Sequence, residues 1–320
     1  MVKSTLKDLR HRAEYFAIRL AGCILAMLSV RQTIWLAETF GWVMTRVLPK
    51  KLTRYHIAYD NIAQAFPGEH SPAEIDGIVN RMWIHLFRML AEMVQFPRKM
   101  TRENMREVLV FRNRSAVVQA LSTGRPVFLL SGHFGNWEST IAAFGHFGFP
   151  LGVIGRELDN PYLHEWIRRS REQTGHKLLL KEGSWDDMTA LLQAGGSMGL
   201  LCDQDAGKRG VFVDFFGRPA STFKSIALMA IEHKGIIVMG YGVRLPDELR
   251  EGRWSRFEIG CEDVIDVLDI KSTDEIREIT QRYTSALERV IRRSPEQYFW
   301  VHRRWKTEPK AKRQAVKDAA

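Results

Sequence analysis

The sequence predicts an α/β fold, a mixed and largely parallel central sheet flanked by helices, with a helical region ahead of it at the amino terminus. Two observations predict it. Short apolar runs at 127–131, 151–155, 178–180, 198–202 and 236–243 alternate with segments of helical spacing, the texture of strands joined by crossover helices. The chain before about residue 110 instead carries apolar residues at helical spacing only.

The elements follow in order. Lys3, Lys7, Arg10 and Arg12 precede a mostly apolar run, 15–30, in the manner of a signal anchor, but Arg19 interrupts it. A spanning helix needs ~20 apolar residues. This run is shorter, and the next stretch, 35–48, is amphipathic and contains Glu38 and Arg46. Helices lying in a membrane interface are therefore expected for residues 1–50; ordinary helices packed on the following domain are the alternative. No small-residue cleavage site stands out, so the segment is expected to be retained.

Ser71-Pro72-Ala73-Glu74 reads as a capping box with proline at the first helical position. Ile75, Ile78, Met82, Leu86, Phe87, Leu90 and Val94 then recur at helical spacing until Pro97 is expected to stop the helix. A strand at 254–261 extends the sheet beyond the five apolar runs. Ser272-Thr273-Asp274-Glu275 opens another capped helix through Ile276, Ile279, Tyr283, Leu287 and Val290, ending near Ser294-Pro295. Residues 51–306 form the main domain, and residues 307–320, polar and basic without periodicity, read as a flexible tail.

Composition narrows the classes. With 320 residues and 45% hydrophobic content the chain can bury a large core, so a disordered chain is not the expectation. A formal net charge of +10 favours anionic partners: phospholipid headgroups, acidic carrier proteins, phosphorylated sugars or nucleic acid. The basic residues are spread along the chain without a nucleic-acid motif, so no nucleic-acid partner is expected. Cys23, Cys202 and Cys261 have neither zinc-site nor disulfide spacing and fit a reducing compartment.

The strongest local signal is Val127-Phe-Leu-Leu-Ser-Gly-His133-Phe-Gly-Asn-Trp-Glu138, a buried-strand pattern running into a glycine-flanked histidine and a helix start. In open α/β sheets ligands bind at the carboxyl ends of strands. Five helical steps rotate about 140°, so a continuous helix would put His133 and Glu138 on different faces. If Gly132 and Gly135 hold His133 in a turn before the helix, the imidazole can fold back onto Glu138. The carboxylate would then fix one ring nitrogen and leave the other as a base toward a hydroxyl. Free amides at the helix start suit an oxyanion or a phosphate. A histidine that merely caps the helix is the alternative.

His133-Phe-Gly-Asn-Trp-Glu138 resembles the signature of the lysophospholipid and lipid A acyltransferase superfamily, in which His, four residues and then an acidic residue form the catalytic dyad. Other segments agree in order: 61–67, Arg156 with Asn160-Pro161 and Arg168, Asp203-Gln204, 215–217 with 220–222, and 298–306. Together they cover most of residues 60–306 and identify the chain as a member of the lipid A lauroyl/myristoyl branch. The resemblance implies a glycerol-3-phosphate acyltransferase-like fold. It implies transfer of a fatty acyl group from acyl carrier protein or coenzyme A to a hydroxyl on a phosphorylated glycolipid, a lipid A precursor, with no cofactor beyond the thioester co-substrate. His133 and Glu138 would be catalytic. Asn136, Arg156, Arg168, Asp203, Gln204, Arg303 and Arg304 would contact substrate.

Blander readings stand beside these roles. Arg168 and Arg169 also suit a solvated helix face, Asp203-Gln204 a structural strand end, and 215–216 a core aromatic pair. Residues 302–306, mixing cations with aromatics, suit an interfacial anchor better than a metal site. A metal-dependent hydrolase using His133, Glu138, Asp203 and Asp205 is the enzymatic rival, although the helical pair of zinc-binding histidines is missing. A non-catalytic lipid-binding protein is the rival of another class, and a phosphatidylinositol mannoside acyltransferase the rival within the superfamily. Thioester donors of this kind are cytosolic, so the expected place is the cytoplasmic face of a bacterial inner membrane.

Overall fold

The computed structural model describes residues 2–101, 103–180, 183–248 and 254–309; most of the expected tail, 310–320, lies outside the described residues. Two helices come first, α1 (Val2–Met27) and α2 (Val30–Trp42). They part at Ser29, whose side chain accepts from the Gln32 amide while Gln32 bonds back to the Ser29 amide, a second capping box. A π turn (Val43–Val47) closes α2, and α3 (Tyr55–Ala65) and α4 (Pro72–Lys99) follow. The box at Ser71 and Glu74 starts α4 as expected, but Pro97 does not end it. Proline removes one amide bond, and so close to the terminus the helix still closes through Met100 N to Phe96 O.

After α5 (Met105–Val108) the sheet begins with β1 (Leu109–Arg112), a four-residue strand that the sequence reading did not anticipate. Then come α6 (Arg114–Leu121), β2 (Val127–Ser131), α7 (Trp137–His146), β3 (Leu151–Gly155), α8 (Pro161–Glu172), β4 (Lys177–Leu180), α9 (Trp185–Gln193) and β5 (Ser197–Leu201). A separate hairpin, β6 (Val211–Phe215) and β7 (Arg218–Thr222), precedes α10 (Ser225–Glu232), β8 (Ile236–Arg244), β9 (Phe257–Asp266) and α11 (Glu275–Arg293). The last strand lies later than the expected 254–261, because it pairs along the whole of β8, from Arg244 opposite Phe257 to Ile236 opposite Asp266.

The strand order is β1-β9-β8-β2-β5-β3-β4, and every pair is parallel except β8 with β9. The sheet is thus mixed and largely parallel, as its apolar runs implied. Side chains of β2 alternate between two cores. Phe128 and Leu130 point into the larger one, shared with α3, α4, α10 and α11, whereas Val127 and Leu129 meet Ala120 of α6 and Ile141 and Phe144 of α7.

The amino-terminal helices dock on the domain. Gln95 of α4 donates to the carbonyls of Leu25 and Leu28 and to Thr33, and Asn160 donates to the His11 carbonyl and to Glu14. Their outer faces still expose Leu6, Leu9, Phe16, Leu20, Ile24, Met27, Trp35 and Trp42. Among the described residues no helix is long and apolar enough to cross a membrane.

Candidate active site

Strands β2 and β5 are neighbours in parallel register, with Ser131 beside Leu201. The chain runs two residues past each strand end, and Cys202 N still bonds Ser131 O at 2.9 Å. That register delivers His133 and Asp203 to the same point on the carboxyl edge of the sheet. Asp203 Oδ2 accepts the main-chain N–H of His133 at 2.9 Å, and its Oδ1 lies 2.8 Å from His133 Nδ1.

Asp203 is 4% exposed and the His133 side chain 20%. Burial opposes the imidazolium, but the charge of Asp203 and its hydrogen bond outweigh it and raise the His133 pKa above the ordinary value. Burial likewise opposes ionisation of Asp203, yet His133 and Arg304 hold its carboxyl below the usual range. A neutral imidazole held this way carries its proton on Nδ1 and keeps Nε2 as the basic nitrogen. The ring stands edge-on to Trp137 at 5.2 Å and faces Phe299 at 6.1 Å.

The carboxylate on the His133 ring is therefore Asp203 and not the expected Glu138. The premise of a glycine turn holds, since Gly135 has φ of 59° and α7 begins only at Trp137. Glu138, in the first turn of α7, instead bonds Arg171 of α8 at 2.8 Å, with both side chains largely covered. Arg171 was not among the residues singled out from the sequence. Its place in the last turn of α8, three residues after Arg168, was the one local sign.

Glu138, Arg171 and Trp137 line one end of an apolar cavity of about 260 Å³ between the sheet and helices α6 and α7. Ile141, Phe144, Leu129, Val153 and Val238 form its walls, and Phe111, Val118, Leu121 and Phe147 line it near the far end of α7. Phe111 and Phe147 meet edge to face at 5.3 Å, with the Arg114 guanidinium 5.8 Å from each ring. The cavity follows α7, whose 10 residues span ~15 Å.

The remaining predicted contacts divide. Arg156 and Gln204 are exposed on loops following β3 and β5, at the same edge as His133, and Arg303 is exposed near the end of the described chain. Arg168 is engaged along its own helix by Glu165 and Glu172, so it is the solvated face rather than a free phosphate clamp. Arg304 is 2% exposed and donates to Ser221 O and Thr222 Oγ1, both at 2.6 Å. It ties the chain's carboxyl-terminal segment to the end of β7, because a guanidinium fork that finds a carbonyl and a hydroxyl acceptor is stable when buried, and it is not open to substrate. Asn136 is fully buried: Oδ1 caps α7 at Ser139 N and Nδ2 donates to Glu92. The aromatic pair Phe215 and Phe216 is core, against Trp300, Trp305 and Phe66. Among the described residues no three His, Cys, Asp or Glu side chains converge as metal ligands.

Residues 2–307 match the family described as bacterial lipid A biosynthesis acyltransferase. The chain belongs to this family. It is 24% identical over 153 residues to the lipid A biosynthesis palmitoleoyltransferase of Escherichia coli (strain K12), covering 47% of this chain and 46% of that protein. The lipid A biosynthesis acyltransferase of Shigella flexneri matches to the same extent. The chain spans about half the length of the curated relatives it matches. Among solved structures, the 1-acyl-sn-glycerophosphate (LPA) acyltransferase PlsC of Thermotoga maritima aligns with 88% of this chain and 99% of its own, at 11% identity and a TM-score of 0.38.

Proposed function

We propose that the protein transfers a fatty acyl group from a thioester donor, acyl carrier protein or coenzyme A, to a hydroxyl of a phosphorylated glycolipid, a lipid A precursor. Family membership supports the reaction class. The observation that carries the chemistry is a histidine, oriented through Nδ1 by a buried carboxylate, sharing Trp137 with the end of an apolar cavity.

His133 Nε2 takes the proton of the acceptor hydroxyl as its oxygen attacks the thioester carbonyl, and Asp203 stabilises the imidazolium that forms. Collapse of the tetrahedral oxyanion breaks the carbon–sulfur bond, and the departing thiolate takes the proton back from Nε2. The acyl chain lies in the cavity along α7. At its mouth, Arg171 has five N–H donors and Glu138 engages only part of them, which leaves donors to face the oxyanion. Glu138 thereby acts on the oxyanion side of the reaction, through Arg171, and not on the base. Arg156 and Arg303, exposed and cationic, contact phosphates of donor or acceptor.

The apolar outer faces of α1 and α2, together with a formal charge of +10, support reading it as a peripheral protein of an anionic membrane surface, and a cytosolic thioester donor favours the cytoplasmic face of the inner membrane. Co-sedimentation of the full chain with anionic vesicles, lost on Phe16→Glu with Trp35→Glu, checks the attachment. Mass spectrometry of lipids from cells with and without the gene tests the reaction. One additional ester-linked acyl chain on a lipid A precursor is the expected result. An unchanged lipid profile, or full function after His133→Ala, removes the proposal, and an added chain on another glycolipid reassigns the acceptor.

A further inference from the structure

The turn that carries His133 is gripped from beneath by buried polar groups that the chemistry above does not use. Gly135 is pressed onto β8 so closely that a Cβ there would fall 2.0 Å from the Gly242 carbonyl oxygen. Its amide donates to Gln297 O at 2.8 Å, and the Asn136 amide donates to Gly242 O at 2.7 Å.

From α4, His85 places Nε2 3.1 Å from Gly135 O, while its Nδ1 lies 2.9 Å from Arg244 Nη1. A guanidinium only donates, so Nδ1 accepts and the ring proton sits on Nε2, pointing at Gly135 O. His85 is 3% exposed, and burial together with the charge of Arg244 holds its pKa well below the ordinary value, so the ring is neutral. Glu92, 1% exposed, takes Arg244 Nε at 2.6 Å and Nη2 at 2.9 Å, and accepts from Asn136 Nδ2 at 2.9 Å. The Gln297 side chain clamps both the N–H and the carbonyl of Arg244.

A buried ion pair gains little over apolar residues of the same volume, so core filling does not account for it. Its arms end instead on the turn, at Gly135 O and Asn136 Nδ2. His133 meets Asp203 through its main-chain N–H and Nδ1 at once, so rotating the turn loses both bonds together. Resting on the reading of His133 as the base, we propose that His85, Arg244 and Glu92 are positioning residues, which set the turn 133–136 so that the His133 imidazole is aligned on Asp203.

The test follows the His133 titration by NMR in the full chain, assigned by the signal lost in His133→Gln, beside acyl-transfer kinetics. His85→Phe removes both contacts without changing charge near neutral pH. The His133 midpoint is expected to fall toward ~6.5, and kcat to fall on the order of 10²-fold, as for small misplacement of a reacting group, with KM for the donor unchanged. His85→Gln, which can still donate to Gly135 O, restores most of both. Asp266→Asn, breaking the Arg125–Asp266 pair at the amino ends of β2 and β8, away from the turn, lowers the melting temperature and leaves the midpoint in place. If His85→Phe does not fold, Arg244→Lys keeps the charge, loses the fork and is read the same way. The groups whose charge bears on this site, Asp203, Tyr298, His302 and Arg304, are unaltered in all these variants. A midpoint unmoved in His85→Phe, or moved equally by Asp266→Asn, overturns the proposal. Absence of acyl transfer in the wild type removes the functional reading instead, and the titration still decides the positioning role.

Discussion

Asp203 grips His133 at two points, the ring Nδ1 at 2.8 Å and the main-chain N–H at 2.9 Å, so one carboxylate sets both the direction of the imidazole and the conformation of its turn. The pair is 70 residues apart in sequence and exists only because β2 and β5 are parallel neighbours.

Asp203→Asn is expected to lower acyl transfer by on the order of 10²–10⁴, the range of an oriented general base, because the amide can present its N–H to Nδ1 and turn the tautomer over. The acid limb of the pH–rate profile checks the cause. In the wild type the basic form of His133 appears as pH rises through a pKa above 6.5, so the half-maximal pH lies above that value. In Asp203→Asn it moves down.

The same pair makes stability depend on pH in a defined direction. A histidine whose folded pKa is raised contributes stability that is complete below its unfolded pKa of ~6.5 and is lost as pH rises through the folded value. Asp203, whose pKa is depressed, contributes above ~3.9 and loses its contribution as pH falls through its folded value. Chemical denaturation across these two windows, compared between wild type and His133→Gln, should show the alkaline decline flattened in the variant.

Arg171→Lys should retain the charge but lose the forked geometry against Glu138. A fall of about 10²–10³ in kcat is expected, the cost of one oxyanion donor, with the His133 titration in place. A variant changed only in KM would assign Arg171 to ground-state binding and remove the oxyanion role.

Leu121→Trp and Val118→Trp fill the far part of the cavity. Each methylene denied burial costs about 0.8 kcal/mol, close to fourfold in selectivity. Donors of graded chain length should show the preference moving to shorter chains at unchanged acceptor KM. An unchanged profile would place the acyl chain elsewhere.

Arg304→Met should act on stability and not on recognition. It strips donors from Ser221 O and Thr222 Oγ1, about 1–3 kcal/mol for buried acceptors left unpaired, and the melting temperature should drop. Arg168→Ala, on the exposed face of α8, should leave turnover unchanged.

Local chemistry determined much of this protein from its sequence alone. The capping box at Ser71 and Glu74, the apolar runs that became β2, β3, β5 and β8, and the turn around His133 each depend on residues within a few positions of one another, where periodicity and backbone preference act directly. Strand order is not local. It decided that Asp203, read as a substrate contact, sits on the imidazole, that Glu138 turns to Arg171, and that Asn136 and Arg304 are interior. It also assembled the cavity from β1, α6, α7, β3, β5, β8 and β9 at once. A buried polar group takes whichever partner the packing brings within reach, and only the folded sheet settles which that is.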